Sequence, residues 1–355
     1  MWLSALRLSS CVLAFTRLAS SAYGYQLIDT HHHFVPDFYR EGELTAFTPY
    51  MTEGFLAVIA AGGDPSGWPI PVWHLNDSEA FMQRINTTMT MLSLTSPGAA
   101  IAKDNDMART LARRANEYCA QISSQMPDKF GCWAAMPNLL DIEGSLVEIS
   151  YALDNLGANG ITLFTRYGDG NYYLGNPAYE PIWAELHRRN ATVFIHPSAP
   201  VDTKLVNPSL LLPTIDYPHE TTLTAVDMII SRTRVKYPNC KVILSHAGGN
   251  LPWLFTRFAL WRKAAPVTAL RDGITYDEAL ADLRSFHYDL ALSSSPEKLD
   301  LLLKLVPAER ILYGSDFPYA PTTGILAFRQ ALEDYPKAEG LKQKIYYENA
   351  LSLIG

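Results

Sequence analysis

From Gln26 onward the chain alternates short apolar runs of β type with longer stretches of helical period. That alternation is the signature of a parallel sheet joined by crossover helices. Eight strands are expected, at 26–30, 87–94, 131–136, 160–164, 192–196, 241–245, 286–290 and 310–313. Helical patterns occupy 104–125, 142–156, 177–189, 221–237, 251–262, 276–284, 296–305 and 324–334. Asp104 is placed to cap the first of these, and Asn176-Pro177 sets a proline at a first helical position. Eight strand–helix units predict an α/β fold, a (β/α)8 TIM barrel, whose reactive groups gather at the C-terminal ends of the strands. A doubly wound sheet would alternate similarly, but no Gly-x-Gly-x-x-Gly follows the first strand. One segment interrupts the rhythm. Residues 34–76 carry Gly62-Gly63-Asp64-Pro65-Ser66-Gly67-Trp68 and many aromatics, and a loop that long reads as a lid or as the contact of a homodimer.

Composition adds bounds. The 355 residues are 48% hydrophobic and 18% charged, which suits one large barrel domain over 26–355. A net charge of −7 without any basic run argues against a nucleic-acid partner. No stretch of about 20 apolar residues exists to span a membrane. The four cysteines (Cys11, Cys119, Cys132, Cys240) are scattered without a Cys-x-x-Cys, so neither a disulfide framework nor a thiolate zinc site is expected.

Residues 1–25 form a separate segment with Arg7 and Arg17, many Ser and Ala, and no acid. The apolar run Cys11–Phe15 with Ala19-Ser20-Ser21 after it resembles a secretory signal, which would make the protein extracellular, although Arg17 interrupts it. A mitochondrial presequence and an uncleaved extension on a cytosolic protein are the other readings. Asn76-Asp77-Ser78, Asn86-Thr87-Thr88 and Asn190-Ala191-Thr192 match the N-glycosylation triplet.

The chemistry starts at Asp29-Thr30-His31-His32-His33, behind the apolar pair Leu27-Ile28. On an extended strand, residues two apart share a face, so His31 and His33 project together and His32 points away. Two adjacent imidazoles are half of a divalent-metal site. Three more strands close on titratable residues: Phe194-Ile195-His196-Pro197, Leu244-Ser245-His246-Ala247-Gly248-Gly249 and Gly314-Ser315-Asp316-Phe317-Pro318. A barrel would bring the ends of strands one, five, six and eight to one mouth.

These motifs resemble the amidohydrolase superfamily, and within it the branch of metal-dependent decarboxylases related to aminocarboxymuconate semialdehyde decarboxylase. Glu220-Thr221-Thr222 followed by helix, Tyr237-Pro238 and the His246 strand look like that branch, and Gly62–Trp68 with Trp73 and Leu163-Phe164-Thr165-Arg166-Tyr167-Gly168 are similar to fungal 6-methylsalicylate decarboxylases and their bacterial relatives. The resemblance spans residues 26–350. It implies that His31, His33, His196 and Asp316 hold one divalent ion, Zn²⁺ with Mn²⁺ as the alternative. His246 would stand beside it for acid/base work. It also implies no bridging carbamylated lysine, and neither strand four nor strand five ends in Lys.

The reaction so implied is non-oxidative decarboxylation of a small hydroxybenzoic acid, 6-methylsalicylate to 3-methylphenol, in polyketide secondary metabolism. Asp316 and His246 are the candidates for proton transfer. Arg166 is the candidate to fork onto the substrate carboxylate. Phe317 and Trp73, with Trp68, are candidates to stack on the ring. His32 and Asp29 are read as packed or supporting groups, and His74, His187, His219 and His287 as structural. A metal-dependent hydrolase or lactonase on the same scaffold is the alternative activity, and a non-catalytic binding protein is a third reading.

Overall fold

The computed structural model describes residues 26–41, 64–265 and 271–354. Residues 1–25 and 42–63 lie outside the described residues, and with them the expectation of a targeting segment and the middle of the 34–76 loop expected as a lid or a dimer contact. Eight strands form one parallel sheet in chain order: β1 (Ile28–Phe34), β2 (Met89–Leu94), β3 (Phe130–Ala134), β4 (Gly160–Phe164), β5 (Thr192–His196), β6 (Lys241–Leu244), β7 (His287–Asp289) and β8 (Ile311–Leu312). The chain after β8 turns back onto β1. Thr30 N–H donates to Tyr313 O at 3.1 Å and His33 N–H to Phe317 O at 2.8 Å, which brings the last strand beside the first. The expected TIM barrel is the observed fold.

Helices cover the sheet: α1 (Leu75–Ile85), α2 (Asn105–Gln125), α3 (Ile142–Ser150), α4 (Glu180–Arg188), α5 (Leu212–Ile230), α6 (Leu251–Ala259), α7 (Tyr276–Ser285), α8 (Pro296–Leu305), α9 (Thr322–Glu333) and α10 (Asn349–Ile354). Asp104 caps α2 through Met107 N–H at 3.0 Å. Two of these helices were not expected. α1 begins at the end of the 34–76 loop and fills the stretch before β2, and α10 follows the last pattern. Ile28, Met91, Trp133, Phe194, Ile243 and Leu312 meet inside the barrel with Ala350 and Leu353 of α10, so the base of the barrel is a solid apolar plug. Among the described residues no helix is long and apolar enough to cross a membrane.

One cysteine expectation is overturned. Cys119 on α2 and Cys132 on β3 form a disulfide. The helix packs directly on its neighbouring strand and brings two residues 13 apart to a Cα separation of 6.1 Å, within disulfide reach. Cysteine spacing alone carries no sign of that packing.

Candidate active site

Each strand end that carries a titratable residue delivers it to one spot. His31, His196, His246 and Asp316 each bring one ligand atom within 4.8 Å of the others. His33 joins them, its Nε2 3.1 Å from His31 Nε2 and 3.2 Å from Asp316 Oδ1. The carboxylate of Asp316 is shared: Oδ1 faces His31 (3.4 Å) and His33, whereas Oδ2 faces His246 Nε2 at 3.4 Å. Phe194 of the apolar plug lies under His31, its ring centroid 4.9 Å away. The site therefore stands on the floor of the barrel and opens upward.

Backbone conformation at the rim is unusual. His246 (φ 54°), Ala247 (φ 56°) and Asp316 (φ 64°) occupy the left-handed region, which costs non-glycine residues about 1–3 kcal/mol each. A close approach also falls here. A Cβ on Gly314 would lie 2.7 Å from His31 Cβ, so only glycine lets β8 pass behind the first histidine.

The outer nitrogens fix the tautomers. His31 Nδ1 donates to Asp289 Oδ2 at 3.0 Å, and His196 Nδ1 donates to Pro197 O at 2.8 Å. Ser93 Oγ spends its one proton on His32 O (3.2 Å), so it accepts from His33 Nδ1 at 3.0 Å. Three imidazoles thus hold Nδ1–H outward and turn Nε2 toward the centre, the arrangement a metal ligand requires. His246 differs. Its Nδ1 is buried without a hydrogen-bond partner.

The electrostatics agree with a cation at the centre. Burial works against charge on His31, but the carboxylates of Asp289 and Asp316 outweigh it and raise its pKa to about 10. Burial holds His33 low despite its contact with Asp316, and burial with three neighbouring histidines holds His196 well below the usual value. Burial alone would raise Asp316, yet the hydrogen bonds of His246, His31 and His33 hold it well below the carboxylate range. Two buried carboxylates against three crowded imidazoles leave a demand for positive charge that a divalent ion would meet. Imidazole nitrogens plus a carboxylate suit a borderline ion of the zinc or manganese kind.

His32 points away, as expected. Its Nδ1 donates to Asp29 Oδ2 (3.2 Å), and its Nε2 accepts from Ser78 Oγ (2.8 Å), which accepts in turn from Trp73 Nε1 (2.9 Å). Asp29 also receives Ser315 N–H (3.0 Å) and Oγ–H (2.6 Å), so it ties the β8 end to β1 and does not touch a ligand imidazole.

The structure places the three expected substrate contacts as follows. Trp73 is buried in the outer core, its indole committed to Ser78 and its ring against Phe34 and Tyr118. Phe317 stacks on Phe81 with centroids 4.3 Å apart and on His32 at 4.9 Å, so its ring belongs to the layer behind β1. Arg166 gives four of its five N–H donors to backbone carbonyls, those of Gly168 (2.7 Å), Gly170 (3.3 and 3.0 Å) and Ala199 (3.0 Å). It braces the hairpin Arg166–Tyr167/Tyr172–Tyr173.

Other residues take the place above the ligands. The Tyr319 ring meets His33 edge-on at 5.8 Å and the Tyr217 ring meets His196 edge-on at 6.3 Å. The Tyr217 hydroxyl is buried beside the side chains of Ser96 and Ser66, and the Tyr319 hydroxyl beside that of Thr95, without a well-formed hydrogen bond among them. Ser66 O accepts from Leu212 N–H at 3.3 Å, which ties the described end of the long loop to the start of α5, where Tyr217 sits. Sequence reasoning passed over these tyrosines because a lone Tyr in a loop or at a helix start has no ligand spacing. It passed over Asp289 although 286–290 was read as a strand.

The sequence matches the family model for amidohydrolase over residues 28–355. It is 44% identical over 327 residues to the 6-methylsalicylic acid decarboxylase of Penicillium expansum, covering 92% of this chain and 95% of that protein. The fold superposes on the crystal structure of an amidohydrolase II with a TM-score of 0.79 and 30% identity, covering 93% and 99% of the two chains. A dihydroxybenzoic acid decarboxylase from Polaromonas sp. JS666, solved with bound manganese and the inhibitor 2-nitroresorcinol, superposes with a TM-score of 0.75 at 21% identity, covering 93% and 97%.

Proposed function

The chain belongs to the amidohydrolase family, and we propose that its reaction is the loss of CO2 from 6-methylsalicylate to give 3-methylphenol, with zinc as the resident ion. The class is that of metal-dependent decarboxylases of small aromatic acids, supported by the 44% identity to such an enzyme across almost its full length. The observation that carries the site assignment is the contrast between the histidines. His31, His33 and His196 have their outer nitrogens anchored, and His246 has not. The first three with Asp316 form the ligand set, and His246 is left for the proton.

When bound, a divalent ion would take up the negative charge of the substrate's carboxylate and phenolate oxygens as a Lewis acid. The chain's own groups do the rest. Tyr217 and Tyr319 offer their hydroxyls, which make no well-formed bond within the protein, to an anionic substrate from two sides of the site. A proton is delivered to the ring carbon bearing the carboxylate. That carbon's bond to CO2 then breaks, and its electron pair returns to the ring. The pair Asp316 Oδ2 and His246 Nε2, 3.4 Å apart, hold and exchange the proton that this step consumes.

Incubation of the metal-loaded protein with 6-methylsalicylate should release CO2 and 3-methylphenol in equal amounts. His246→Ala and Asp316→Asn should each lower kcat by about two orders of magnitude or more. No turnover of this acid or of related hydroxybenzoates, together with hydrolysis of a lactone panel, would replace the decarboxylase reading with the hydrolase one. Elemental analysis of active protein tests zinc against manganese.

A further inference from the structure

Three Asn-x-Ser/Thr triplets remain after the site has taken its residues. The structure sorts them. Asn76 lies in the first turn of α1, on the side of the barrel where the strands end, and Ser78 of the same triplet is buried between His32 and Trp73. Asn86 and Asn190 lie at the opposite end. Asn86 links α1 to β2 with φ 54°, and Asn190 links α4 to β5 with φ 53°. Both are exposed at the base of the barrel.

A left-handed turn after a helix favours asparagine in any protein, so these positions alone carry nothing. Two further observations rest on other residues. The Cys119–Cys132 disulfide is a bond that forms and persists in oxidising compartments such as the endoplasmic reticulum and is rare in the cytosol. Ahead of the family match at residue 28 stands an acid-free segment with the apolar run Cys11–Phe15 and small residues after it.

We propose that this chain folds in the secretory pathway and carries N-linked oligosaccharide on Asn86 and Asn190, with residues 1–25 as the leader that brings it there. At each site a bond forms between asparagine Nδ2 and C1 of the first sugar. The bond from that carbon to a polyprenyl diphosphate breaks, and the diphosphate and one amide proton leave. The donor is the lipid-linked oligosaccharide of that compartment, and no redox change occurs. The disulfide is a two-electron oxidation: the two thiols give up two protons and two electrons to an oxidised thiol–disulfide oxidoreductase. The Thr192 hydroxyl is buried and donates to Leu353 O at 3.0 Å, so Asn190 is modified before α10 closes the base. Sugars on this face leave the mouth of the barrel open.

The test is expression of the full chain from Met1, without an added leader, in a yeast or filamentous-fungal host. Digestion with peptide N-glycosidase in heavy-oxygen water should lower the mass and return Asn86 and Asn190 as labelled aspartate. Asn86→Asp and Asn190→Asp, which tolerate the left-handed backbone, should each remove one glycan, and the pair should remove both. Non-reducing peptide mapping should recover Cys119 joined to Cys132. A protein recovered with Met1 intact, insensitive to the glycosidase and with both thiols alkylated, overturns the proposal. A glycan on Asn76, or on only one of the two named residues, overturns the site assignment.

Discussion

Asp289 Oδ2 lies 3.0 Å from Nδ1 of His31, and both side chains are fully buried. The other oxygen of the same carboxylate accepts from the backbone N–H of His246 at 3.1 Å and of Ala291 at 3.0 Å. One residue at the end of β7 therefore holds the outer nitrogen of a proposed metal ligand and the backbone of the residue proposed for proton transfer. Nothing in Asp289 touches the centre directly, yet the centre depends on it.

Asp289→Asn tests that dependence. If the amide turns its NH2 group toward His31, the imidazole must move its proton to Nε2, where it faces the metal. If the amide oxygen stays there, His246 loses its acceptor. Either way metal affinity should fall about 10- to 100-fold, the usual effect of losing a group that orients a ligand. Equilibrium dialysis with elemental analysis reads it. Wild-type affinity in this variant would show that Asp289 is only a packed acid.

Gly314→Ala asks a steric question of the same histidine. The added methyl meets His31 Cβ at 2.7 Å and the Asp289 carboxyl at 3.2 Å, both held by the barrel wall. Overpacking of this kind costs about 1–3 kcal/mol. Thermal unfolding should show a lower Tm, and metal occupancy should fall with it because His31 is pushed toward the centre. A variant with unchanged occupancy would mean that β8 can retreat from β1.

Tyr217→Phe and Tyr319→Phe separate binding from folding. Each removes a buried hydroxyl that makes no well-formed hydrogen bond within the protein, so stability should change little. If those hydroxyls meet the substrate, the lost bond to an anionic group is worth about 1.5–3 kcal/mol. KM should then rise at least tenfold per variant, with kcat changing much less. An unchanged KM in both would remove the tyrosines from substrate recognition.

The sequence made much of this architecture legible, and unevenly. β4 and β5 coincide with their expected ranges because they are unbroken apolar runs bounded by turn residues. β1 was expected at 26–30 but runs from Ile28 to Phe34, because the apolar run ends at Ile28 and the polar residues after it are held in the strand by buried partners across the fold. α5 starts nine residues before its expected range and contains Pro218, which periodicity reads as a break. The convergence of His31, His33, His196, His246 and Asp316 followed from strand ends alone. The supporting groups did not, since Asp289 is 258 residues from His31 and Cys119 meets Cys132 only through packing. The surroundings of Arg166 and Phe317 were not legible either, since the carbonyls and rings they pack against come together only in the fold.

His287 gives a prediction about acid stability. It is buried, and burial together with Arg310 and Arg234 lowers its pKa to about 3. Arg310 also donates to its Nε2 at 3.0 Å, a contact only the neutral ring can make. In the unfolded chain the same imidazole titrates near 6.5. Between these values the unfolded state binds more protons than the folded one, so stability rises with pH. The contribution is complete above about pH 6.5 and drains away as the pH falls toward 3, by at most about 1.4 kcal/mol per pH unit. His287→Gln keeps an acceptor for Arg310 and removes the titration. Urea unfolding at pH 7, 6 and 5 should then show a shallower fall in the variant, by up to one proton's worth of slope, even if the variant starts less stable at pH 7. Parallel slopes in the two proteins would mean that His287 already carries its proton in the fold, and that Arg310 has turned away from it.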